Sequence, residues 1–417
     1  MSGNGKPGVR ARIVGGMSTH VHLESPESVL KVTLRIVPCV LFTFFCYLAV
    51  GLQLAVLPGY VHDVLGYGPV MTGLAVSMQS IATLITRAPA GKLSDTIGPK
   101  RSVMRGQVVG AASGVLLLMA YAFERSPAFS LTVLLISRCM LGLCESQVSN
   151  SGITWGLLQV GNTHTARVIS WNGVATYGGL ALGAPLGVLV AGDLSFGAIG
   201  AAVLGLGLLS LAISWSRPAP PMQHGARMAY RSVVARVLPF GGGLCLGTLG
   251  MGMLTIFVTL YYASHHWDGA ATALTVFGCA LILVRLISGN WIPRFGGFKV
   301  ALGSLVVEAL GLALLWLAPN AALALAGAAL TGMGFSLVFP ALGVEVVTRV
   351  SPGSRGAAIG VFSVFFDVAL AVAGPLAGYI SKDHGYAAIY LVAACGCLVA
   401  VALVEAMRRG RLVGQPA

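Results

Sequence analysis

The stretch GKLSDTIGPKR, Gly91 to Arg101, decides how this chain is read. It packs one carboxylate, two glycines and three cations into eleven residues, with long apolar runs on both sides. A segment that short and polar folds only if the runs flanking it are already held in place. It reads as a turn between two helices at the edge of a bilayer.

Working outward, hydrophobic residues make up 56% of the 417 residues, charged residues 9%, and the mean hydropathy is +0.85. A soluble domain carries roughly 25% charged residues, so most of this chain belongs in lipid. Apolar runs recur at the roughly 20 residues that cross a hydrocarbon layer, and they number twelve. The net charge of +13 would suggest nucleic acid as a partner in a soluble protein. Here the cations follow the membrane instead. With the N-terminus inside, all but Arg125, Arg138 and Lys382 among the 26 lysines and arginines fall on inner loops, their flanks or the tails. Arg87 and Arg285 count among those flanks. The excess of inner cations predicts that both termini are cytoplasmic. The first 30 residues are polar and Gly-rich, so no cleavable leader is expected and the first helix serves for insertion. The eight cysteines lie in or beside apolar segments without metal-site spacing, which predicts no metal and no cofactor.

A sequence repeat divides the chain. Arg87 and Gly91 recur as Arg285 and Gly289 at a shift of 198, and Gly98 recurs as Gly296. In the second copy, GNWIPRFGG, Pro293 stands where Asp95 stands, so the turn is kept and the carboxylate lost. The stretch RPAPPMQHGAR from Arg217 has no apolar period and reads as a linker. The expected domains are a tail (1–32), a first six-helix bundle (33–216), a linker (217–232), a second bundle (233–407) and a tail (408–417).

Ionisable residues inside membrane helices are costly and mark function. Asp367, within VFFDVAL, and Glu145, within LISRCMLGLCESQ, are the candidate proton carriers. Arg138 lies two turns before Glu145 on the same face and is expected to modulate it. Tyr177 matches Asp367 at a shift of 190, as Pro185 matches Pro375. Tyr47, Gln53, Gln79, Gln147, Asn150 and Tyr177 are candidate liners of a substrate cavity, with helix–helix hydrogen bonding as the competing reading for such residues. Glu308 is expected to be paired or snorkelling, Glu345 to join Arg349, and Trp155 and Trp171 to anchor at the interface.

The Gly91–Arg101 run resembles the loop between the second and third helices of the major facilitator superfamily (MFS). Gly91, Leu93, Asp95, Gly98, Lys100 and Arg101 occupy the pattern, and Arg138 with Gly142 fits that family's fourth-helix motif. AVLPGYVHDV, RAPAGKLSD, RVISWNG, GAPLG, WDGAA and GFSLVFPALG are similar to the YhhS-type bacterial group, drug:proton-antiporter-like. Gly179, Gly183 and Gly187 around Pro185 resemble the fifth-helix motif of exporters, although Ala184 stands where that motif has Gly; Gly374-Pro375 supplies the direct pair in the other half.

The resemblance implies an all-α integral membrane protein with twelve transmembrane helices in two pseudo-symmetric six-helix bundles. It implies a monomer in a bacterial inner membrane, working by alternating access, with a small molecule and protons as partners. Asp95 would bond the basic cluster and the N-terminal end of helix 11, and Gly91 and Gly98 would let helices 2 and 3 slide. The expected activity is export of a drug-like compound or sugar by proton antiport; the alternative is uptake of a sugar or organic acid by a facilitator or symporter. An enzyme is not expected, since no nucleophile with a base and no metal cluster stands out.

Overall fold

The computed structural model describes residues 26–54, 56–220 and 226–410. Most of the expected N-terminal tail, part of the linker and residues 411–417 lie outside the described residues. The described chain is helical and carries no strand. The helices are α1 (Pro26–Leu54), α2 (Pro69–Ile97), α3 (Pro99–Ala122), α4 (Pro127–Val160), α5 (Thr165–Asp193) and α6 (Phe196–Ser216). The second half gives α7 (Tyr230–Ser264), α8 (Ala270–Ile287), α9 (Gly297–Leu317), and α10 (Ala321–Phe335, resumed at Val338–Thr348). The 54-residue helix Arg355–Arg408 bends at Gly385 into two limbs, α11 (355–384) and α12 (386–408). This division is consistent with twelve passes, and nine described stretches are long and apolar enough to cross a membrane.

Local chemistry sets the boundaries. Pro69, Pro99 and Pro127 each open a helix, where the missing N–H costs nothing. Ser195 and Asn320 cap α6 and α10 by accepting from the N–H of Ala198 and Leu323. Between α2 and α3, Gly98 has φ 89° and ψ 149°, and Gly296 repeats this with φ 85° and ψ 151°. A side chain is strained there, which is why the repeat keeps glycine at both turns. α7 starts at Tyr230, slightly inside the expected linker, and α1 starts at Pro26, inside the expected tail.

Close packing of small residues joins α1 to α5. A Cβ on Gly183 would lie 2.6 Å from the Leu48 carbonyl oxygen, and one on Gly179 2.7 Å from that of Phe44. Four apolar clusters divide the rest of the core, a small one gathering around Phe42, Val103 and Val148. One, around Leu117, Leu134 and Ile199, lies wholly in the first half. Another joins Ile36, Ile153 and Ile169 of the first half to Val347 and Ile359 of the second, and the largest fills the second half and reaches Ala166. The halves therefore pack together near the end of the bundle that carries Gly91–Arg101, called the basic end below.

Trp155 departs from its expected interfacial place. It is 1% exposed and packs on Phe42, with ring centroids 5.4 Å apart.

Candidate functional site

Three elements bring the two sequence-predicted acids together, and the residue that joins them is Arg87 of α2. It is 5% exposed. Its Nε donates to Asp367 Oδ2 at 2.7 Å and its Nη2 to Asp367 Oδ1 at 3.0 Å, a bidentate pair between the halves. Nη2 also donates to Glu145 Oε1 of α4 at 3.3 Å. Glu145 accepts further bonds from Tyr47 Oη (3.0 Å), Gln79 Nε2 (3.0 Å) and Thr83 Oγ1 (3.2 Å). Asn150 Nδ2 donates to the Arg87 carbonyl at 2.9 Å. Two carboxylates around one guanidinium leave the cluster a formal charge of −1.

Arg87 was read from the sequence as an orienting cation, and the structure corrects that. It lies one helical turn before Gly91, on the same face of α2, and that face packs on α11. A Cβ on Gly360 would sit 2.8 Å from the Arg87 carbonyl oxygen, and one on Gly91 would overlap the Gly356 carbonyl oxygen. The signal was present in the sequence: a cation that recurs with its glycine at a shift of 198 belongs to the built unit, whereas orienting charges need no fixed position.

Arg138 is 2% exposed and does not touch Glu145. Its guanidinium donates to Gln53 Oε1 (3.1 Å) and to the carbonyls of Ala75 (3.3 Å) and Val76 (3.4 Å). It ties α1, α2 and α4 together inside the first half. Gln53 is thereby a partner of Arg138. Gln147 is also displaced from the expected cavity: it lines a groove with Arg101, Met104 and Trp215 on the α3 and α6 side of α4. Tyr47, Gln79 and Asn150 surround the Arg87 cluster; Tyr177 lies elsewhere, 5.9 Å beneath the Arg285 guanidinium.

At the basic end, Asp95 Oδ1 accepts from the Gly356 N–H at 2.8 Å and Oδ2 from the Ala357 N–H at 2.7 Å. These are free amides of the first turn of α11, where the helix dipole also favours an anion. The expected bond to the basic cluster is not what Lys100 makes: its Nζ donates to the carbonyls of Trp215 (3.0 Å) and Arg217 at the end of α6. Arg101 is exposed. Gly91 serves close approach to α11. Nearby, Arg167 Nη2 donates to Asn290 Oδ1 at 3.3 Å, and Glu345 pairs with Arg349 at 2.6 Å. Asp95, Arg87 and Arg167 thus connect the halves from mid-helix to the basic end, which is closed.

Glu308 of α9 is 0% exposed, and among the described residues both carboxyl oxygens lack a hydrogen-bond partner. It therefore neither pairs nor snorkels, contrary to the sequence expectation.

A membrane helix bundle with an internal repeat and an acid–cation cluster between its halves is the architecture of a membrane transporter. The sequence profile of the Major Facilitator Superfamily matches residues 39–297 and 240–412, and the chain belongs to that family. An uncharacterized MFS-type transporter of Burkholderia pseudomallei (strain 1106a) is 51% identical over 395 residues, covering 94% of this chain and 97% of that protein. One from Pseudomonas aeruginosa (strain LESB58) is 50% identical over 379 residues, covering 91% and 94%. Among solved structures, the human organic anion transporter MFSD10 superposes with a TM-score of 0.74 at 16% identity, covering 91% of this chain and 100% of that one. The Escherichia coli fucose:proton symporter FucP gives 0.73 at 14%, covering 90% and 98%. At those identities the likeness concerns the fold.

Proposed function

We propose that this transporter exports a small molecule by proton-coupled antiport with alternating access, from a bacterial inner membrane with both termini cytoplasmic. The observation that carries the reading is Arg87, held in common by Glu145 of one half and Asp367 of the other. Opening the basic end separates α2 from α11, so it must break the bidentate Arg87–Asp367 pair. A proton on Asp367 removes the charge that holds the pair, while Glu145 keeps Arg87 neutralised within its own half. Proton binding from the opposite side then favours opening at the basic end, where the proton leaves and substrate enters. Asp95 on the α11 amides closes the same end again. The protein acts as a monomer, with lipid as its solvent.

The test is proton flux in everted vesicles acidified inside, challenged with sugars and with cationic or aromatic compounds. A compound-dependent loss of the pH gradient, absent in Asp367→Asn, is expected. Undiminished coupled flux in Asp367→Asn overturns the assignment. Uptake of an organic acid by symport is the second reading, favoured by a buried arginine without a carboxylate, Arg285; there the pH gradient and substrate would run inward together.

A further inference from the structure

The repeat places Arg285 of α8 where Arg87 stands in α2, and the structure extends the correspondence to its neighbours. A Cβ on Gly142 of α4 would meet the Gln79 carbonyl of α2, and a Cβ on Gly332 of α10 the Phe277 carbonyl of α8. Ser146 Oγ donates to the Thr83 carbonyl at 3.0 Å, and Ser336 Oγ to that of Leu281 at 2.7 Å. These pairs align α4 with α10 at a shift of 190, so Phe335 occupies the place of Glu145, as Tyr177 occupies that of Asp367. The positions of both carboxylates that neutralise Arg87 therefore hold aromatic residues in the copy that carries Arg285.

Arg285 keeps the burial and, among the described residues, meets no counter-charge. It is 6% exposed, and its one hydrogen bond runs from Nη2 to the Ser336 carbonyl at 2.7 Å. Its Nε has no partner. Helix α5 makes room for it: a Cβ on Gly173 would overlap Nη1. A cavity of about 320 Å³ is lined by Arg285 together with Arg167, Ser170, Trp171 and Asn290, within the size range of small-molecule sites. A buried cation without an acid is costly, and a bound anion is what removes that cost.

We propose that Arg285 binds the negative group of an aromatic monocarboxylate, and that this is the substrate class. The Arg285 guanidinium meets no carboxylate among the described residues and its planar fork fits one, while Trp171 on the cavity wall offers a ring face to the body of the ligand. The cavity lies between α1 and α5 of one half and α8 of the other, so occupancy is sensed by the movement of the halves. The inference rests on the transport reading only in calling the ligand a substrate.

The experiment is equilibrium binding by calorimetry to the full chain in phosphatidylcholine nanodiscs. The probes are benzoate, cinnamate, 1-naphthoate and indole-3-acetate, each beside its carboxamide. At least one carboxylate is expected to bind roughly tenfold or more tightly than its amide, the size of one charge-assisted contact. Arg285→Gln is expected to erase that preference, Arg285→Lys to retain part of it, and Tyr177→Asp, which restores the acid found in the other copy, to erase it by occupying the guanidinium. Thermal unfolding supplies the control for folding. Arg285→Gln is expected to keep or raise the midpoint, because it removes an uncompensated charge; a purely structural arginine would lower it.

No carboxylate preferred over its amide by the wild-type protein, or a preference that survives Arg285→Gln, overturns the proposal. Stabilisation by added phosphatidylglycerol instead, lost in Arg285→Gln and without any carboxylate preference, overturns it in favour of a lipid headgroup. Binding needs no flux, so an anion site found without proton-linked transport would remove the transport reading alone.

Discussion

At the residue scale, the two buried arginines of the repeat make opposite predictions. Arg87→Gln leaves Asp367 and Glu145 buried without their cation. Removing one partner of a buried pair costs about 3–5 kcal/mol, so this variant is expected to unfold at a clearly lower midpoint and to lose coupled flux. Glu308→Gln is expected to do neither. Its carboxyl meets no donor, and an uncharged side chain of the same shape removes the desolvation cost of a charge; stability within about 1 kcal/mol of wild type, or above it, is the outcome to check in a melt. Asp367 and Glu145 were legible in the sequence because acids are rare inside apolar runs. Arg87 was legible only through its recurrence with Gly91 at a shift of 198, because an arginine a few residues from a polar loop otherwise looks like any orienting charge until its depth is known. Arg138 and Glu145 share a helix face by spacing, yet a face spans several neighbours, and spacing does not say which one each side chain meets.

At the scale of elements, the Gly91–Arg101 run reads in sequence as a turn between helices, whereas the structure carries helix α2 through Ile97 and starts α3 at Pro99, so that Gly98 alone makes the turn; the repeat at Gly98 and Gly296 extends to backbone angles that agree within a few degrees. Gly98→Ala is expected to cost about 1–2 kcal/mol for a left-handed backbone, measurable as a lowered melting midpoint with the fold kept. Gly91→Val acts differently, since its side chain would enter the Gly356 backbone. It is expected to hold α2 off α11 and to lengthen spin-label distances across the basic end without lowering helix content. Which neighbour a glycine faces was the part the sequence could not supply: Gly91 sits in a motif between α2 and α3 but packs on a helix more than 260 residues away in the chain.

For the whole molecule, the all-helical membrane bundle followed from composition, because lipid allows a chain this apolar few alternatives to a helix bundle. The state of the bundle did not follow, since it depends on contacts between halves. The basic end is closed by Asp95 on α11 and by the Arg87–Asp367 pair. Asp95→Ala is expected to shift the population toward the open basic end, read as faster hydrogen exchange at the start of α11. The charge of −1 at the cluster predicts one proton per cycle, which the dependence of substrate accumulation on pH gradient and membrane potential would measure; a value of two would require a second carrier.

The Asp95 contact has a consequence for genetics. Its partners are main-chain amides, so exchanging the Ala357 side chain leaves that donor in place, proline excepted, whereas a change at Asp95 removes both bonds. A random screen for transporters that fail to shut should therefore return many alleles of codon 95 and hardly any of codon 357.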